Sequence, residues 1–177
     1  MSSPAIKTIT IREGQQTDQG FTATVRIGGQ SEYPITVSDP FSAQQERELE
    51  FYFEEWVRFP FDQQVKAQRA AASVKGYGEA LFGQVFADAD AYSDYRQTCR
   101  SGLTNLRIEI EGESPAFQAF HWEALRDPKQ PRPFAVDAVF TRKRFQRGVM
   151  PIDLQPSAVI NLLVVTARPN EEKDVGY

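Results

Sequence analysis

Hydrophobic and polar residues alternate in three stretches near the start of the chain: Ile6 to Ile11, Phe21 to Ile27 and Tyr33 to Val37. Each is rich in β-branched residues and bounded by polar or glycine-containing breaks, the pattern of strands in a small antiparallel meander. Gly28-Gly29 marks the second turn. In the second stretch Phe21, Ala23, Val25 and Ile27 share one face and Thr22, Thr24 and Arg26 the other. The sheet therefore has one side to bury, and helices are expected against it.

The period then changes from two to that of a helix. Asp39-Pro40 ends the last strand, and Ser42-Ala43-Gln44-Gln45 has the spacing of a capping box. Leu49, Tyr52, Phe53 and Trp56 recur at i, i+3, i+4 and i+7 as one aromatic stripe, which stops at Phe59-Pro60-Phe61. Glu46, Glu48, Glu50, Glu54 and Glu55 fall largely between these positions and read as a solvated face rather than a metal site. A second helix is expected from about Asp62 to Val74, with Gly76-Tyr77-Gly78 loosening the pattern before a third apolar face at Leu81, Phe82, Val85 and Phe86. Those glycines lack the spacing of a nucleotide-binding loop and follow no strand. A further short helix is expected from Asp90 to Arg100, with Gly102 just past its end.

Beyond Gly102, Leu106, Ile108 and Ile110 alternate with Arg107, Glu109 and Glu111 as a half-buried strand. Ser114-Pro115 supplies the cap and first residue of a short helix, and Asp127 to Pro133 reads as a loop. Phe134, Val136, Ala138 and Phe140 alternate again, predicting a strand that ends in Thr141-Arg142-Lys143-Arg144. Val159 to Val165 is apolar almost without a break, as in a strand covered on both faces of a parallel sheet. Only a polar tail follows it, so the chain is expected to stop one strand into a second domain.

Composition narrows the function classes. With 177 residues, 41% hydrophobic and 25% charged, the chain is sized for one globular domain or one and part of another, and disorder is excluded. A net charge of −4 argues against nucleic acid as a partner. The longest apolar stretch, Ala158 to Ala167, is half of the about 20 residues needed to cross a bilayer. Neither a membrane nor an export signal is expected, and the single cysteine, Cys99, fits a cytoplasmic protein. Arg142, Lys143, Arg144 and Arg147 form the one dense basic cluster, a candidate partner-binding patch, although a solvated strand end is the simpler reading. His121 and Cys99 do not suggest a catalytic pair, because Cys99 falls late in a helix, where the dipole disfavours a thiolate. No metal or organic cofactor is expected.

Several segments, taken in order, carry a resemblance. They are Ser38-Asp39-Pro40-Phe41, Glu50 to Glu55, Arg58 to Phe61, Tyr77 to Phe82, Phe120-His121-Trp122-Glu123-Ala124-Leu125-Arg126-Asp127-Pro128, and Leu163 to Pro169. Together they resemble the N-terminal portion of bacterial CHAT-domain proteins, a family similar to caspases and separases. The likeness runs from about Ile6 onward. Its most specific parts are the Trp-Glu-x-Leu-x-Asp-Pro segment and the apolar strand before Arg168-Pro169. The resemblance implies structural roles for His121, Trp122, Glu123, Leu125, Asp127, Pro128, Arg168 and Pro169. It also implies a caspase-like core in which a His-Gly pair and a Cys in an Asn-Ala-Cys-like segment form a peptidase dyad. Neither motif occurs in these 177 residues.

The expected fold class is accordingly α+β, an N-terminal antiparallel meander with helices leading into the first strands of a caspase-like α/β sheet. Residues 1–102 would hold the meander and helical region, and residues 103–177 the start of the CHAT domain. The expected role is that of a non-catalytic part of a cysteine peptidase, packing against the rest of the same polypeptide. A free-standing interaction module or pseudoenzyme that binds protein partners is the alternative.

Overall fold

The computed structural model describes residues 6–144 apart from 30, 59, 61 and 62. The fold is α+β, with one five-stranded mixed sheet in the order β3-β2-β1-β4-β5. The meander is β1 (Lys7–Thr17), β2 (Gly20–Ile27) and β3 (Ser31–Val37), antiparallel throughout, with Ile11 opposite Val25 and Val25 opposite Tyr33. Gly28 and Gly29 take positive φ of 63° and 80° at the turn, conformations that glycine adopts without steric cost.

On its other side β1 pairs in parallel with β4 (Leu106–Glu111), which in turn pairs in parallel with β5 (Val139–Lys143). Ile9 faces Ile108 and Ile11 faces Ile110, so the sheet runs across the expected boundary at 102/103. The described residues group as one compact unit.

The helical layer starts as the sequence indicates. Ser42 caps α1 (Ala43–Glu50) with a complete capping box, and Gln45 Oε1 accepts the Ser42 N–H at 3.0 Å. Leu49 is the buried member of α1. Thereafter the backbone widens into a π-helical turn, Phe51–Trp56, none of whose residues is buried. Of the stripe, Leu49 alone is buried.

Helix α2 runs unbroken from Gln64 to Val85, through the glycines expected to interrupt it. A Cβ at Gly78 would lie 1.8 Å from the Ala124 carbonyl oxygen, and the Arg126 N–H donates to the Gly78 carbonyl at 3.2 Å. Glycine here permits backbone-to-backbone contact in the middle of a helix, and that contact outweighs its poor propensity. Helix α3 (Ala89–Thr98) is capped by Asp88, which accepts from the N–H groups of Asp90 and Ala91, both at 2.9 Å. A 3₁₀ turn at Cys99–Ser101 and Gly102, with φ of 88°, close it.

Ser114 caps the one-turn helix α4 (Pro115–Gln118) as expected. The alternation from Phe134 misled, because Phe134–Asp137 is a one-turn helix, α5, and the strand begins only at Val139. Phe134 is fully buried against Phe82 and Tyr95, and its N–H donates to the Leu125 carbonyl at 3.0 Å. Anchoring this residue turns the backbone before the sheet begins.

One core joins the apolar sheet face (Ile9, Ile11, Val25, Ile108, Ile110) to Tyr77 and Leu81 of α2, Tyr95 of α3 and Trp122. The opposite sheet face is charged. Glu109 and Glu111, expected in solvent, are only 8% and 6% exposed. Arg12 reaches Glu111 at 2.8 Å and Lys143 reaches Glu109 at 2.8 Å, so the cations on the flanking strands neutralise the buried carboxylates.

Candidate functional site

The segment from Phe117 to Pro128 ties the sheet to the helices. Trp122 lies in a 3₁₀ turn (Trp122–Ala124) and is fully buried, with its indole N–H donating to the Phe117 carbonyl at 2.8 Å. The Phe117 and Phe120 rings pack on it with centroids at 5.0 and 5.6 Å. An indole is the side chain that can fill such a space and still satisfy its one polar atom. Leu125 is buried beside it.

Asp127 is 2% exposed, and each oxygen of its carboxylate accepts a hydrogen bond. Oδ2 accepts the Tyr95 hydroxyl at 2.7 Å and Oδ1 accepts the Lys129 N–H at 2.8 Å. The Gln130 N–H closes the turn onto the Asp127 carbonyl at 2.9 Å, with Pro128 at its second position. Burial and the Asp127 bond both push the Tyr95 phenol well above its ordinary value. The Asp-Pro pair therefore forms the loop and fastens it to α3.

His121 donates its backbone N–H to the Tyr77 hydroxyl at 3.0 Å, and its Nε2 lies 3.1 Å from both carboxylate oxygens of Glu46. The imidazole thus connects α1 to the motif. Cys99 has other surroundings. It packs at the core margin beside Tyr95 and Asp127, and burial lifts its thiol from 9.0 to about 11. A thiol that holds its proton at neutral pH is a poor nucleophile, and the hydrogen bonds of His121 go to Glu46 and Tyr77 instead. Among the described residues no three His, Cys, Asp or Glu side chains are grouped to hold a metal ion. No helix among them is long and apolar enough to cross a membrane.

The basic cluster is largely consumed within the fold. Arg142 grips Glu123 through two guanidinium nitrogens, Nε lying 2.6 Å from Oε1, and also donates to the carbonyls of Gln118 and Phe120. Partial burial works against the charged form of Glu123, but the Arg142 guanidinium outweighs it and holds the carboxyl below its usual range. Lys143 serves the buried glutamates of β4. Arg144 is exposed, while Arg147, Arg168 and Pro169, like the apolar run from Val159 to Val165, lie outside the described residues.

Sequence reasoning missed the Arg142 clamp and the role of Glu13. Glu13 Oε2 accepts the N–H groups of Glu113 and Ser114 at 2.6 and 3.0 Å and so pins β1 to the start of α4. Both connections join residues far apart in the chain, and neither leaves a local spacing to read. No protein-family model, curated protein or solved structure matches the chain.

Proposed function

We propose that the chain is the non-catalytic N-terminal part of a CHAT-domain, caspase-like cysteine peptidase, where it packs against and supports the protease core in the cytoplasm. One observation carries this reading. The sheet changes from antiparallel to parallel at β1 and gains its parallel strands in chain order, β4 and then β5, away from the meander. A parallel half that adds strands in sequence is how an α/β core begins. The Trp122–Pro128 segment, which bears the resemblance most specifically, supports the reading because it anchors β5 through Arg142 and closes the helical layer over the sheet.

The natural reading frame past the codon for Tyr177 tests it. A frame with His-Gly after one apolar strand and Cys after the next supports the proposal. Cysteine-dependent peptidase activity of that longer protein, lost on replacing the new cysteine by alanine, would complete it. A stop codon directly after Tyr177 would overturn it. A second reading, a protein-interaction module, is favoured by the uncovered apolar residues Phe53 and Val57.

A further inference from the structure

The arm formed by α1, the π-helical turn and the start of α2 carries apolar side chains that the core does not take. Phe53 and Val57, four residues apart, are each 56% exposed. Tyr52 stacks on Trp56 with centroids 5.4 Å apart and meets Phe53 edge-on at 5.0 Å, so the surface is a set of rings held against one another. Phe51 is covered by the Lys66 ammonium, 3.6 Å from its ring centroid.

Charge is distributed unevenly around these rings. Residues 43–58 hold five glutamates against Arg47 and Arg58. Two of the five are occupied, Glu46 by His121 and Glu48 by Arg69 at 2.8 Å. Glu50, Glu54 and Glu55 are exposed and make no ion pair among the described residues. An apolar strip edged by unneutralised carboxylates is complementary to an apolar strip edged by cations.

We propose that this face docks a basic amphipathic helix of a partner protein. The apolar side chains of that helix cover Phe53 and Val57, and its lysines or arginines meet Glu50, Glu54 and Glu55. A helix is the fitting shape because the apolar positions follow helical spacing and the arm offers no sheet edge. A second copy of this chain is disfavoured, since a two-fold contact would set the same carboxylates against each other. An anionic membrane is repelled by the same charge. The inference does not depend on the peptidase reading and goes beyond it.

The test uses the full chain and a synthetic leucine-lysine amphipathic peptide of about 18 residues, five helical turns, free of tryptophan. A leucine-glutamate peptide of the same spacing is the control. Trp56 stacks on Tyr52 at the margin of this face with its indole nitrogen buried, and Trp122 is sealed in the core, so a change of tryptophan emission on binding that Trp56→Phe abolishes reports binding at this site. The lysine peptide is expected to bind and the glutamate peptide not. Phe53→Ser with Val57→Ser should weaken binding about tenfold or more, as truncated anchors do. Glu50→Gln with Glu54→Gln and Glu55→Gln should weaken it and flatten its salt dependence.

Phe53, Val57, Glu50, Glu54 and Glu55 are all exposed, and an unchanged thermal transition would confirm that the variants, Trp56→Phe included, fold. Asp18→Asn with Glu32→Gln, acidic residues of the meander, should leave binding intact. The proposal is overturned if that distant pair weakens binding as much as the glutamates of the arm do, or if the glutamate peptide binds equally well. Self-association or binding to phosphatidylserine vesicles, abolished by the Phe53 and Val57 changes, would overturn it in favour of those occupants.

Discussion

Two aromatic clusters of similar composition behave in opposite ways. Around Trp122 the rings of Phe117 and Phe120 are buried, and the one indole N–H has its acceptor. Around Trp56 the rings of Tyr52 and Phe53 stack as closely, yet no residue of that turn is buried. Ring-to-ring contact is common to both, so it does not make a core. Trp122 belongs to the core that the sheet and the helices share, whereas no residue of the π-helical turn does. Aromatic residues add stability in proportion to the area the rest of the fold removes from water.

The contrast is sharpest in a pair of truncations. Trp122→Ala should cost about 3–5 kcal/mol, the range for deleting a large buried aromatic, and urea unfolding would show it as a large fall in midpoint. Phe53→Ser should change the same midpoint by about 0.5 kcal/mol or less, as exposed positions do. Equal losses would mean that the arm belongs to the core. The next largest effect compares two glycines of α2. Gly78→Ala should cost about 3 kcal/mol, because the new Cβ would strike the Ala124 carbonyl oxygen at 1.8 Å and backbone cannot swing aside. Gly76→Ala, which meets open space, should stabilise by about 0.5–1 kcal/mol.

Asp127→Ala should cost about 2 kcal/mol, since it strands the Tyr95 hydroxyl and the Lys129 N–H without acceptors. Tyr95→Phe in a double-mutant cycle isolates the share of the first bond, and a coupling near zero would contradict this account. The smallest effect is a pH dependence. Glu123 has its carboxyl lowered in the fold, so its pairing with Arg142 stabilises above the ordinary value of 4.5 and is lost as pH falls through the lower folded value. Wild type should therefore lose more stability than Arg142→Gln between about pH 6 and about pH 3. Parallel pH profiles would show that the clamp is electrostatically idle.

The meander and the caps were legible in the sequence because their physics is local. Ser42 and Ser114 bond to N–H groups three residues on, and β2 alternates strictly because one of its faces is covered. What escaped depends on distant residues. A period of two from Phe134 to Phe140 suits a strand, and only the burial of Phe134 beside α3 turns its first half into a helix. Gly76 and Gly78 look alike in sequence, yet only Gly78 has a carbonyl from another segment pressed on it. In the same way Arg142 and Lys143 read as a free basic patch until Glu123, Glu109 and Glu111 come to meet them. For Trp122 and Asp127 the partners, the Phe117 carbonyl and the Tyr95 hydroxyl, likewise come from outside the local spacing that the sequence shows.

The two sides of β1 also differ in when they can form. On one edge lies β2, reached through a turn of two residues, and on the other lies β4, which is synthesised only after all of α1, α2 and α3. The meander can therefore close as soon as it is made, while Ile9, Ile11 and Val25 wait with their apolar sides uncovered until the later half arrives. Contacts this far apart in sequence slow folding, and a sheet half-built in this way is the state in which a nascent chain is most prone to sticking to others. The long central strand that unites the fold is thus also where its assembly is most exposed to error.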